Sequence, residues 1–168
     1  MTKMIALHRI GVVMAYRGES HMFKLIFAQC FFVREPDSFD DLVARMPAIV
    51  VAARATRPES FETDMTLELY AVGWSHSRGR ITGAAYTIDK KGTLTNEYLD
   101  TWVCASSPEL PGDPNPIIET HELIFEHARK QTRYANTVYA EYATGGHFFV
   151  AEITQERIAI ADAGKLDD

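Results

Sequence analysis

The stretch Thr66–Asp89, TLELYAVGWSHSRGRITGAAYTID, decides how the chain is read. It holds two apolar runs, Leu67–Trp74 and Ile81–Ile88, rich in residues that suit a pleated surface. Between them lies the polar segment Ser75-His76-Ser77-Arg78-Gly79-Arg80. Two such runs around a short Gly-containing loop predict a β-hairpin. Both strands carry apolar residues in both alternation registers; in the first, Leu67, Leu69 and Ala71 stand against Tyr70, Val72 and Trp74. That pattern predicts strands at the middle of a sheet, covered on both faces.

Upstream, Lys3–His8 and Ile10–Tyr16 are short β-prone runs with Gly11 near their join and Arg17-Gly18 at the end, a second hairpin. Ser20 is a cap for a helix over about His21–Val33, apolar on most sides and therefore expected to lie under neighbouring elements. Glu35-Pro36-Asp37 ends it. Ser38 followed by Asp41 resembles a capping box, and Phe39, Leu42, Val43, Met46, Ile49 and Val50 then recur along one helical face. Pro47 falls inside this helix and predicts a kink or a shifted start.

Downstream, Lys90-Lys91-Gly92 turns the chain into a strand over Thr93–Ala105. Ser106–Pro116, with four prolines, reads as an irregular loop. A helix is expected over Ile117–Arg133, and a closing strand pair over His147–Thr154 and Arg157–Ala161, joined at Gln155-Glu156. The acidic tail Asp162–Asp168 reads as frayed. Strands, two helices, three strands, one helix and two strands describe an α+β domain of layered antiparallel sheets flanked by helices, expected to span 1–168 as a single domain.

The bulk numbers agree with such a domain. A chain of 168 residues that is 46% hydrophobic is large enough to bury a core without staples. A formal net charge of -6, with the 17 Lys and Arg gathered into no basic stripe, speaks against nucleic acid as a partner. Cys30 and Cys104 lie far apart and form no CxxC, so buried reduced thiols in a cytoplasmic protein are expected. Met22–Val33 is about half the length of a membrane span and contains Lys24, and no signal peptide is visible, so no membrane is expected.

No stretch carries a complete catalytic or metal-binding pattern. His121 and His127 are six residues apart, about 240° around a helix, where a zinc helix needs histidines four apart on one face. His121 therefore belongs to the packed stripe of its helix and His127 to solvent. Ser75, His76 and Ser77 supply two triad residue types, but adjacency in sequence is not triad geometry; a polar turn accounts for them. Gly145-Gly146 lies in neither a dinucleotide nor a phosphate-loop pattern, Arg78 and Arg80 are two turn cations, and Asp113 is a turn former. Neither a metal nor a cofactor is expected.

The element order, with the strings Lys3–His8, Val12–Gly18, Phe39–Ala44, Gly73-Trp74-Ser75 and Gly145-Gly146-His147, resembles the proteasome-like branch of the N-terminal nucleophile (Ntn) hydrolase fold, an αββα layering. The resemblance covers most of the chain and includes small bacterial and phage-associated proteasome-like proteins. It implies a catalytic Thr, Ser or Cys at a mature N-terminus, whose own amine serves as base, on strands about thirty residues ahead of the Lys-led hairpin. It also implies that Lys3 matches the lysine that assists this nucleophile. The sequence opens at that hairpin, so the fold reads as truncated and the nucleophile has nothing to map onto. Thr2, exposed once Met1 is removed, is the remaining candidate, although it adjoins Lys3 and enters the fold at the wrong place.

Three readings follow. The first is a non-catalytic, self-associating proteasome-like domain, since missing opening strands leave sheet edges that demand cover. The second is an Ntn-type amidohydrolase or peptidase whose true start lies upstream. The third is an unrelated α+β ligand-binding domain with the Ser106–Pro116 loop at its site, for a small molecule or peptide the sequence does not name.

Overall fold

The computed structural model describes residues 4–18, 20–32, 35–56, 67–89, 93–99, 120–138 and 147–166, the side chains of Phe32 and His121 excepted. The element order is β1 (Met4–Leu7), a 3-10 turn (His8–Ile10), β2 (Val12–Gly18), α1 (Ser20–Phe32), α2 (Phe39–Ala55), β3 (Leu67–Ser75), β4 (Arg80–Ile88), β5 (Leu94–Leu99), α3 (His121–Val138), β6 (His147–Ile153) and β7 (Ile158–Lys165). This is a mixed α+β protein with antiparallel sheets. The chain divides into two compact units: residues 1–100 with Ile153–Ile158, and residues 101–152 with 159–168.

In the first unit β1 to β5 form one sheet in sequence order. The predicted hairpin is its middle, with Leu67 opposite Ile88 and Ser75 opposite Arg80. β2 closes on the other side of β3, Val12 opposite Gly73 and Tyr16 opposite Leu69. At the β1–β2 join, Gly11 takes φ 63° and ψ 38°, a left-handed conformation that a glycine adopts without Cβ strain.

Side chains on β3 alternate strictly. Leu67, Leu69, Ala71, Gly73 and Ser75 are buried, whereas Glu68, Tyr70, Val72 and Trp74 are half-buried. The expectation of full cover on both faces is therefore corrected. One face joins the core with α1 and α2, and the other stays partly open. Tyr and Trp suit that intermediate surface because each has an apolar body and a polar tip. Tyr70 donates to Glu68 Oε2 at 3.1 Å, and Glu68 lies 3.6 Å from Arg17.

The core forms where Val12, Met14 and Tyr16 of β2 and Leu67, Leu69 and Ala71 of β3 meet the buried faces of the two helices. α2 contributes Phe39, Leu42, Val43, Met46, Ile49 and Val50, the residues that the sequence periodicity selects, and also Ala53. Burying side chains of this size stabilises the fold by about 1.5–3 kcal/mol each.

Its start follows the predicted box with one change. Ser38 Oγ accepts the Asp41 N–H at 3.1 Å, but Asp41 Oδ2 accepts from the Asp37 N–H at 3.1 Å. In the usual box the third-position side chain reaches the cap residue's own N–H. The helix runs through Pro47 without a shifted start. Pro47 itself is exposed, so its ring stands off the buried face of the helix.

α1 buries Met22, Phe23, Ile26 and Cys30 but not its whole circumference. Phe23 stacks on Tyr16 at 4.0 Å between centroids, and Phe27 and Phe31 continue the aromatic row outward at i+4 spacing. Phe31 is 40% exposed, so the expected burial of α1 under its neighbours holds for one face only among the described residues. Burial lifts the Cys30 thiol pKa to about 11, which makes it a small core residue and not a nucleophile. Cys104 lies outside the described residues.

In the second unit α3 presents Phe125 to Phe148 of β6, ring centroids 5.8 Å apart. β6 and β7 form a two-stranded sheet. β7 extends to Lys165, so the start of the expected frayed tail is strand instead, and Asp162 pairs with His147 across the sheet.

Candidate functional site

A dense polar constellation centres on Asp40. Asp40 is the second residue of α2, and its carboxylate reaches the β3–β4 turn 35 residues further on. Ser75 Oγ donates to Asp40 Oδ1 at 2.7 Å, Ser77 Oγ reaches the same oxygen at 3.2 Å, and the Ser77 N–H donates to Oδ2 at 2.9 Å. Ser75 Oγ also accepts the Arg78 N–H at 3.2 Å. Burial by itself would raise the Asp40 pKa. The hydrogen bonds from Ser75, from Ser77 and from the His76 backbone outweigh it and hold the carboxyl below its ordinary range.

This arrangement answers the Ser-His-Ser question. Ser75 is fully buried and its hydroxyl is committed to a carboxylate, not to an imidazole. Activation of a serine needs a base at its Oγ, and a carboxylate kept ionised by four donors is a weak one. Asp40 is thus the clamp that fastens the hairpin turn to α2. The turn reading of Ser75-His76-Ser77 stands, and the partner that makes it rigid is one the sequence reading did not single out.

Beside the clamp, in the same compact unit, lies a cavity of about 310 Å³. Trp74 and His76 line it from the end of β3, His8 and Arg9 from the 3-10 turn, and Asp37, Ser38 and Phe39 from around the start of α2; Gln155, Glu156 and Arg157 complete its polar lining. Arg9 is fastened in place. It donates to the Pro36 carbonyl at 2.9 Å and pairs with Glu35 at 2.9 Å and Asp37 at 3.7 Å. Its charge is compensated there, and with Asp37, Glu156 and Arg157 the lining carries charges of both signs beside Trp74 and does not form a simple anion grip.

The other expected positions fall as follows. Thr2 and Lys3 lie outside the described residues, as do Asp113, Gly145, Gly146 and the Ser106–Pro116 loop. His127 is half-buried on α3, not solvated as expected, because it lies on the flank of the face that buries Thr132 and Ala135. Among the described residues no three His, Cys, Asp or Glu side chains group as a metal would require. Arg78 lies over the Tyr98 ring at 4.0 Å, a cation–π contact that anchors the turn on β5. No helix among the described residues is long and apolar enough to cross a membrane. Comparison with protein-family models, curated proteins and solved structures finds no match.

Proposed function

We propose that this chain is a non-catalytic, proteasome-like α+β domain that acts by associating with copies of itself. The observation that carries the reading is the pairing of a locked polar cluster with open sheet edges. Ser75, Ser77 and Asp40 are committed to one another, while β1 and β5 end the five-stranded sheet with no further strand beside either among the described residues. Unpaired edges attract another chain. Phe31, at the outer end of the α1 aromatic row, adds one exposed apolar side chain, 40% accessible.

Sedimentation velocity tests the reading directly, together with an amide-directed electrophile. The expected result is a mass that rises with concentration above 18.9 kDa and no covalent adduct. A monomer at every concentration overturns self-association. A stoichiometric adduct overturns the non-catalytic half and favours the hydrolase alternative, with Thr2 and Lys3 as the positions to map first.

A second reading, a small-molecule binding domain, is favoured by the cavity beside Trp74, whose volume is at the lower end of ligand pockets. Ligand-observed NMR with a fragment set distinguishes it: binders lost in Trp74→Ala support it, and their absence removes it.

A further inference from the structure

Resting on the self-associating reading, we infer that copies of this chain join edge to edge through β1, antiparallel and related by a two-fold axis. The two edges of the sheet differ in chemistry. β5 carries Thr95, Asn96 and Glu97 beside Tyr98, all exposed; the three polar or charged side chains discourage the addition of a strand, and Arg78 already stacks on the Tyr98 ring. β1 is Met4-Ile5-Ala6-Leu7, with no charge, no proline and no bulge in its register against β2. One edge is guarded and the other is a template.

The alternation of β1 fits its own image. A two-fold axis perpendicular to a sheet keeps each face on its own side, and residues directly opposite in an antiparallel pair share a face. With the axis at Ala6, Ile5 of one copy lies across from Leu7 of the other. Leu7 is 7% exposed and Ile5 packs against the core, so the two helix-covered cores run together across the joint. The small Ala6 side chains meet at the axis on the other face. Arg9, just beyond the strand, is already compensated by Glu35 and Asp37, so the joint brings no bare guanidinium against the second copy.

The test is sedimentation of the full chain with three variants, beside concentration-dependent hydrogen exchange of the unaltered protein. Ala6→Lys and Met4→Lys place a charge on the β1 edge, and Asn96→Lys does the same on β5. Circular dichroism and Tm confirm which variants fold. Association weakened at least about ten-fold by a β1 variant, unchanged by Asn96→Lys, and amide protection at Met4–Leu7 growing with concentration support the edge. Association with flat exchange at Met4–Leu7 overturns the edge and leaves self-association standing. A monomer at every concentration removes both.

Discussion

Asp40 shows how one carboxylate can look catalytic and act structurally. It receives hydrogen bonds from two serine hydroxyls and two backbone N–H groups, and one of those hydroxyls belongs to a fully buried residue. Asp40→Ala leaves the Ser75 hydroxyl buried without its acceptor, so a loss of about 1–3 kcal/mol is expected in urea unfolding. The pH dependence has a definite sign. The folded pKa is lowered, so the stabilisation is complete above the ordinary carboxylate value and disappears as pH falls through the folded one. Acid titration of Trp74 fluorescence in a Trp102→Phe background should show this loss, and Asp40→Asn should flatten it. Tyr86 is the opposite case. Burial raises its pKa, and its hydroxyl meets no hydrogen-bond partner among the described residues. Tyr86→Phe is therefore expected to leave stability unchanged or to raise it by up to about 1 kcal/mol, a result thermal unfolding reads directly. The polar turn at Ser75–Arg80 was legible because turn chemistry is local. Its Asp40 anchor was not, since nothing local marks a pairing across 35 residues of chain.

At the scale of elements, α2 was the best-read part of the chain. Its cap, its apolar stripe and its Pro47 all lie within a few residues of one another, where periodicity and capping operate. Pro47→Ala restores a backbone donor at an exposed position and frees the carbonyl of residue 43 from the ring, at the cost of a more flexible unfolded chain. A net gain of about 2 kcal/mol is expected in denaturant midpoint measurements. β3 was read less well. Its apolar residues in both registers suggested cover on both faces, but Tyr70 and Trp74 are amphipathic and sit comfortably half-buried. Gly73 had no mark in the sequence beyond its type. A Cβ there would lie 2.8 Å from Val12 Cγ2, 3.0 Å from the Gly11 carbonyl oxygen and 3.0 Å from Phe39 Cδ2. Because one of those neighbours is backbone, Gly73→Ala should separate β3 from β2 and the start of α2. A loss of about 1–3 kcal/mol in chemical denaturation is expected.

At the scale of the molecule, the element order could be read from the sequence because each hairpin and helix announces itself locally, and an antiparallel sheet in sequence order needs few crossovers. Self-association could be expected from the resemblance, but the edge that would carry it could not be read this way, since edge chemistry acquires meaning only once the strand order shows which strands are edges. That order also sets the strength to expect. Four residues of strand span only about 13 Å, and stable protein interfaces bury at least about 1,200 Å² in total. Edge pairing alone therefore predicts a weak dimer, governed by mass action. Since the pair stabilises only folded chains, Tm should rise with protein concentration, by an amount that follows RT ln(1 + [L]/Kd) with the second copy as ligand. Ala6→Lys should give a Tm that does not move over the same range, whatever the variant's own stability. Differential scanning calorimetry over a hundred-fold concentration range separates the two cases: a shared slope in both proteins places the contact elsewhere, and a slope in the unaltered chain alone places it at β1.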